Sequence, residues 1–583
     1  MSALFQRLIR DLPERHVPGK NSFATDAKSL RNWVSHLPLA NPGATARLLI
    51  GALREMNELR IEPLQRLDAL EILRGPVDQI VTWLGRQTLG DSLPLPPQKQ
   101  QLGQLAQDFE SALALGYSAV VYDLCAPAGA VPFLRGKAVA LALTRAIQHR
   151  NHCLYEAYLL YHAPPPGAWQ NLHDLFRFAA AVNLDDKPAD DPLHGGAQIS
   201  ARMAYMHALL YALTNPYRFT QKENGEIHDL TRIWAAHCEL REGRAPTGAV
   251  AVRTDADISP GYLPEEREAP GEGLWAFEIS ALVRFLEGQL ATLPPGLAST
   301  QFRLRGGTTM HANVAFVERL MRAWEGGGER GQQRLAAGHL LDTVIGLHDL
   351  HFALAGNQDF EAFLRKTRGV AISLHDSERV AAWASSGGGA GQTRVKRLTA
   401  KVLDQSLGGY RLVWEKLDSA RVKVGELVGL APPAEEGEAQ DWMVGAIRWL
   451  RIEPSGAMDA GIELLAARAL AAGLRTFDAN GAPRPALRGV LLETLQKDAA
   501  GTIVVLAPNP LDRDAREIEL TKAGDPFGWP PDAVVETLHN IDVSETGGGY
   551  LRLELARSRE ATVPPSAAND DLRATPPTGV IAT

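Results

Sequence analysis

Residues 402–414 read VLDQSLGGYRLVW. Tyr410, Leu412 and Trp414 alternate with Arg411, and upstream Leu398, Ala400 and Val402 alternate with Thr399 and Lys401. A period of two marks strands with one buried face. Between the runs stands Asp404-Gln405-Ser406-Leu407-Gly408-Gly409. Asp and Ser two residues apart suit a self-hydrogen-bonded turn, and the paired glycines permit φ > 0 there. Read locally, the segment is a hairpin with glycines at its corner.

Further strands follow. Val422 and Val424 lead into Gly425, Leu427 and Gly429; Trp442, Val444 and Ala446 form another, and Gly461–Leu465 closes the set. Five short strands with turns between them predict a small antiparallel barrel over 393–475. Ala466–Leu474 is Ala-rich and reads as a helix packed on it. Beyond it, Gly489–Leu492, Thr502–Ala507, Arg516–Leu520, Ala533–His539 and Tyr550–Leu555 give a β-rich region over 476–558. These strands either form a second β-domain or complete the first. Residues 559–583 have the Pro/Ala/Ser/Thr/Asp composition of a disordered tail.

Before the barrel, SSGGGAGQ at 385–392 reads as a flexible linker. Residues 246–384 read as a second helical region, with helices at 274–293, 310–325, 332–355 and 358–366 after an irregular stretch at 248–267. Residues 1–245 read as a helical bundle. Asn41 caps a helix that starts at Pro42 and carries Leu49, Ala52, Leu53 and Met56 on one stripe. The helix beginning at Pro63 is expected to stop at Arg74-Gly75-Pro76. Tyr155, Tyr158, Leu159 and Tyr161, a Pro-rich turn, then Trp169, Leu172, Leu175 and Ala179 outline a hairpin like half a tetratricopeptide repeat. It belongs either to an irregular bundle or to a groove near Trp169 that docks a partner peptide. The fold class is therefore α+β multidomain: an all-α N-terminal region, a small antiparallel β-barrel and a further β-rich region.

DxSxxG at 404–409 followed by a strand, then VKVGELVGL, GAIRWL and GIELLA within 422–465, resembles the PilZ domain in order and spacing. The helical N-terminal part is similar to the extension of larger proteobacterial PilZ proteins. The resemblance implies a six-stranded barrel of the kind that commonly binds cyclic di-GMP. It implies that Asp404 accepts from a guanine edge, that Ser406 adds a polar contact and that Gly409 lets the backbone approach the base. In the family an upstream RxxxR pair grips phosphates and stacks on guanines, work suited to the planar guanidinium fork. No such pair stands shortly before Asp404. The nearest candidates are Arg394 and Arg397 in TRVKR, with a second RxxR at Arg365 and Arg368.

Lys+Arg 60 against Asp+Glu 68 leaves a net charge of -8, which argues against a nucleic-acid partner. Cys125, Cys153 and Cys238 are scattered, as expected of reduced thiols. No run of about 18 apolar residues suggests an integral membrane segment, and MSALFQRLIRDLPERH lacks a signal-peptide core, so a cytoplasmic location is expected. No GxSxG, HExxH or dinucleotide fingerprint is present, so a non-enzymatic protein without cofactor or metal is expected. His149, His152, His162, His348 and His351 read as structural, and Asp185-Asp186 and Asp190-Asp191 as solvated turn residues. Two functions follow from this reading. One is a cyclic di-GMP effector whose barrel modulates contact between the helical region and an unidentified protein partner. The other is an adaptor whose degenerate barrel binds no nucleotide.

Overall fold

The computed structural model describes residues 2–8, 10, 12–90, 93–243, 249–262, 273–293, 299–303, 309–325, 334–369, 373–378, 395, 397–415, 417, 422–435, 440–493, 502–522, 534–546 and 549–557. The linker at 385–392, Arg394 and the tail at 559–583 lie outside the described residues. The chain divides into two compact units. One comprises Met1–Leu350, Lys396–Ala467 and Gly547–Gly549; the other comprises His351–Val395, Arg468–Thr546 and Tyr550–Thr583.

The first unit opens with helices α1 (Ser2–Arg7), α2 (Ala27–Ser35), α3 (Pro42–Glu58), α4 (Pro63–Thr88), α5 (Pro97–Cys125), α6 (Gly136–Leu159), α7 (Ala168–Ala181), α8 (Ala201–Leu213) and α9 (Gln221–Trp234). Asn41 caps α3 by accepting from Ala44 N at 3.1 Å. α4 does not stop at Arg74 but runs through Pro76, because Leu67, Leu70, Leu73, Val77, Ile80 and Leu84 form one buried stripe across it. Proline removes one backbone bond, and that continuous burial outweighs its loss. Arg66, fully buried on α4, donates to the Met56 and Leu59 carbonyls at the end of α3.

One further sequence expectation for this region is overturned in part. Asp185 and Asp191 are buried, not solvated: Arg202 holds Asp185, and Arg74, Arg145 and His194 surround Asp191. Paired guanidinium groups make that burial tolerable. Trp169 is 4% exposed and lies in the helical core against His173, as the irregular-bundle reading expects.

Residues 246–384 carry a helix at each of the four expected stretches but also strands, so the region is mixed rather than wholly helical. The hairpin β1 (Ala189–Asp191) and β2 (Ala197–Ile199) precedes β3 (Glu239–Glu242), β4 (Val250–Arg253), β5 (Gly261–Tyr262) and β6 (Leu274–Glu278). The last four make an antiparallel sheet of order β3-β6-β4-β5. α10 (Ser280–Ala291), the hairpin β7 (Ser299–Arg303) and β8 (Thr309–Asn313), and α11 (Val314–Trp324) follow. Next come β9 (Leu335–Ala336) and β10 (Leu340–Ile345), then α12 (Leu347–Leu354) and α13 (Phe360–Arg368).

The middle barrel consists of β10, β11 (Leu398–Ser406), β12 (Gly409–Trp414), β13 (Leu427–Ala431), β14 (Met443–Ile452) and β15 (Met458–Ala466). Its ring order is β10-β13-β14-β15-β12-β11, closed by β10–β11 pairing, and β9 adds to β11. The closing strand β10 comes from the stretch read as a helix at 332–355. Leu93, Leu95, Leu160 and Tyr161 of the helical region share one apolar cluster with Leu412, Leu430, Ile447 and Leu450 of the barrel. Ile452 N donates to Tyr161 O at 2.8 Å, and Leu93 exchanges backbone bonds with Val422.

In the second unit, β16 (Ala469–Thr476) replaces the expected Ala-rich helix. It joins β17 (Leu487–Leu492), β18 (Ile503–Pro508), β19 (Glu517–Lys522), β20 (Val534–Thr546) and β21 (Tyr550–Arg557) in a closed barrel. The five C-terminal strands therefore form a second barrel. Alanine's helix propensity yields here to burial on both sides: a Cβ on Gly473 would lie 2.7 Å from the Leu364 side chain, while Ala472 faces the barrel core.

The helical core also holds a chain of titratable rings. His149, His152, His207 and His228 stand with Tyr155 and Tyr211, and Glu110 lies 2.7 Å from His149 Nδ1. Burial holds His152, His207 and His228 below the usual value of 6.5, and pushes the nearby Glu156 carboxyl up to about 8. As pH falls below 6.5 the unfolded chain takes up protons at three histidines more readily than the folded chain does, against one Glu156 proton that the folded chain holds more tightly. Stability of the helical region therefore rises with pH up to about 6.5 and declines gently toward about 8 as Glu156 ionises. Urea midpoints at about pH 5, 6.5 and 8 test this; a midpoint highest at about pH 5 would contradict it.

Candidate functional site

A register shift in β11 builds the site. Leu398, Ala400 and Val402 face the barrel core, and Val402 pairs with Leu412. The next pair is Asp404 with Arg411, so Leu403 is passed over in a bulge between Val402 and Asp404. The extra residue reverses the alternation, which places Asp404 and Ser406 on the outer face instead of the core. Paired residues share a face, so the register extends the row across four strands: Asp404, Arg411, Gly461 and Trp449. One step toward the hairpin lie Ser406, Gly409 and Glu463.

Each member of the row is fixed by a neighbour. Arg334, just before β9, donates from Nη1 to Asp404 Oδ1 at 2.5 Å. Arg411 grips Asp459 with Nε and Nη2 at 3.0 and 2.7 Å, and that contact raises the guanidinium further above its ordinary range. Its Cζ also lies 5.9 Å from the Trp449 ring. A Cβ on Gly461 would fall 1.9 Å from Trp449 Nε1, so the glycine lets the indole lie down on the sheet. Arg448 pairs with Glu463 beside it. Gly409 is required by close approach: a Cβ there would stand 2.0 Å from Ile462 O. Ser406 Oγ reaches Gly409 O only at 3.5 Å, and Leu407 at the hairpin tip is 89% exposed.

The arrangement offers a carboxylate acceptor, two guanidinium forks and an indole face on one surface. A carboxylate can accept from two adjacent N–H groups of a purine edge, guanidinium groups bind phosphate bidentately, and an indole stacks on a base.

Of the residues expected from the sequence, Asp404, Ser406 and Gly409 come together. Arg397 does not join them. It is exposed at the opposite end of β11, seven residues from Asp404, roughly 23 Å at strand rise. Arg365 pairs with Glu361 and Arg368 with Glu519, both in the other unit. The arginine that does meet Asp404 is Arg334, and Arg330-Gly331-Gln332-Gln333-Arg334 has the spacing of the expected pair. Arg330 itself is outside the described residues.

A family model described as "Cyclic-di-GMP receptor FimW, N-terminal domain" matches residues 28–246. Its companion, "Cyclic-di-GMP receptor FimW, middle PilZ domain", matches 249–397 and 384–470. A protein of Pseudomonas aeruginosa named Cyclic-di-GMP receptor FimW is 25% identical over 530 residues, covering 84% of this chain and 85% of its own. This chain belongs to the PilZ domain family. Its PilZ barrel differs from the sequence reading in that residues 346–397 are inserted between the first strand, β9–β10, and β11, which carries the DxSxxG motif. That insertion separates Arg334 from Asp404 along the chain. Trp449 and Gly461 were also missed, since only cross-strand register puts them in the row.

Gly409→Ala is expected to destabilise the PilZ barrel by about 1–3 kcal/mol, since a backbone oxygen cannot yield as a side chain can. Gly456→Ala, at a turn with φ +82° and open space, should cost about 1 kcal/mol. Denaturant titration of both variants checks the order; equal losses would contradict the close approach.

Proposed function

We propose that this chain is a non-enzymatic effector that binds cyclic di-GMP on the outer face of its PilZ barrel. Occupancy then changes how the helical region meets a partner protein. The observation that carries this reading is the contact of Arg334 with Asp404 at 2.5 Å, which sets the second arginine of an RxxxR sequence beside the DxSxxG hairpin. Asp404 accepts from the N1 and N2 donors of a guanine, and Ser406 lies two residues further along the same edge. Arg330 and Arg334 take the phosphates, and Trp449 beside Arg411 offers a stacking face. The relative named a cyclic di-GMP receptor, which this chain matches over most of its length, supports the ligand.

A route toward the helical region exists within the same unit. β14 carries Trp449 and ends at Ile452, whose N–H is bound by the Tyr161 carbonyl just beyond α6. The adaptor reading rested on a missing arginine pair; the placement of Arg334 at Asp404 favours the effector reading over it.

Calorimetric titration of the full chain with cyclic di-GMP tests the proposal. Binding is expected to be micromolar or tighter. A charge-assisted bond is worth about 1.5–3 kcal/mol, so Arg334→Ala and Asp404→Ala should each weaken it by roughly tenfold to over a hundredfold. Arg397→Ala should bind as the unaltered chain does. No heat, or an Arg334→Ala variant that binds unchanged, would contradict the assignment.

A further inference from the structure

The two barrels have the same connectivity. In chain order the PilZ barrel strands are β10, β11, β12, β13, β14 and β15, and the ring reads first, fourth, fifth, sixth, third, second. The C-terminal ring is β16-β17-β18-β21-β20-β19. Read from β16 in the other direction it also runs first, fourth, fifth, sixth, third, second. Every neighbouring pair in both rings is antiparallel. Six strands can close into a ring in many orders, so agreement at every position marks one topology used twice.

The chemistry of the two differs where the site would be. In the PilZ barrel the second and third strands turn Asp404, Ser406 and Arg411 outward. In the C-terminal barrel Leu491 pairs with Val505 toward the core, so Val490, Leu492, Val504 and Leu506 face the other way. All four are apolar and at least nine-tenths buried. The connecting sequence ETLQKDAAGT at 493–502 holds no DxSxxG, and Ala467-Arg468 before β16 supplies a single arginine.

The outer surface of β16 and β19 is occupied by the segment inserted into the PilZ barrel. Phe360, Phe363 and Leu364 of α13, each at most 4% exposed, cluster with Ala471 and Ala486. Gly473 makes room for Leu364. Arg368 binds Glu519, which Arg475 also holds, and lies 3.1 Å from Thr521 Oγ1. Glu378 and Arg488, both nearly fully buried, pair further along.

We propose that the C-terminal unit is a second PilZ-type barrel that has exchanged nucleotide recognition for peptide recognition, and that its bound peptide is α13 of this chain together with residues 373–378. The element it recognises is an amphipathic helix with an apolar Phe-x-x-Phe-Leu face and a basic last turn ending at Arg368. A glycine floor for the leucine and a carboxylate for the arginine provide the specificity.

Limited trypsinolysis of the full chain, with cleavage sites mapped by mass spectrometry, tests the seat. Arg365, Lys366 and Arg368 should be protected in the unaltered protein. Leu364→Asp, and independently Gly473→Val on the barrel side, should speed cleavage there about tenfold or more, while Leu364→Met should not. Cleavage in the unaltered protein as fast as in Leu364→Asp would overturn the proposal. So would photocrosslinking of a reactive cyclic di-GMP analogue to residues 469–557. An analogue that crosslinks nowhere would count against the function proposed above, and the protease result would still decide this one.

Discussion

Closure of the PilZ barrel by β10 is the constraint on which the rest depends. β10 pairs with β11 on one side and β13 on the other, and without it five strands would end in two open edges. The same strand pair positions the chemistry: β9 continues along β11 as far as Gln405, which sets Arg334 against Asp404. Closure also dictates where the insertion leaves and re-enters, since residues 346–397 depart from the end of β10 and return at the start of β11. A stable barrel, a paired arginine and carboxylate, and a segment available to the second unit thus come from one pairing.

The site exists because local irregularities are placed on an otherwise regular sheet. The bulge before Asp404 turns polar groups outward at the position where continued alternation would have buried them. Gly409 and Gly461 remove two Cβ atoms, one to admit Ile462 O and the other to admit the Trp449 indole. A carboxylate buried without a partner would be costly; Asp404 has Arg334 and Asp459 has Arg411, so the face is preorganised with its charges already matched.

Much of this was legible in the sequence, and the failures have physical causes. The alternation of Leu398, Ala400 and Val402, and of Tyr410, Leu412 and Trp414, announced β11 and β12 because one face is buried and the other wet. β10, LLDTVI, did not announce itself: apolar residues at 340, 341, 344 and 345 also fit a helical stripe, and only the β-branched Thr343-Val344-Ile345 hinted at a strand. β16 was hidden by alanines, whose helix propensity is overridden by packing on both sides. Asp404, Ser406 and Gly409 were legible as one group because they are close in sequence. Arg334 stands 70 residues before Asp404, because an insertion separates β10 from β11, and local spacing cannot link residues that far apart. Trp449 and Gly461 needed register, which no single strand reveals.

A double-mutant cycle on cyclic di-GMP affinity, using Arg334→Ala, Asp404→Ala and the double variant in the full chain, tests the central claim most directly. If β9–β10 brings Arg334 into one site with Asp404, the two losses are strongly non-additive, with a coupling of about 1 kcal/mol or more. Losses that add within about 0.3–0.5 kcal/mol would show that the two residues act apart, and the account of the site would fail.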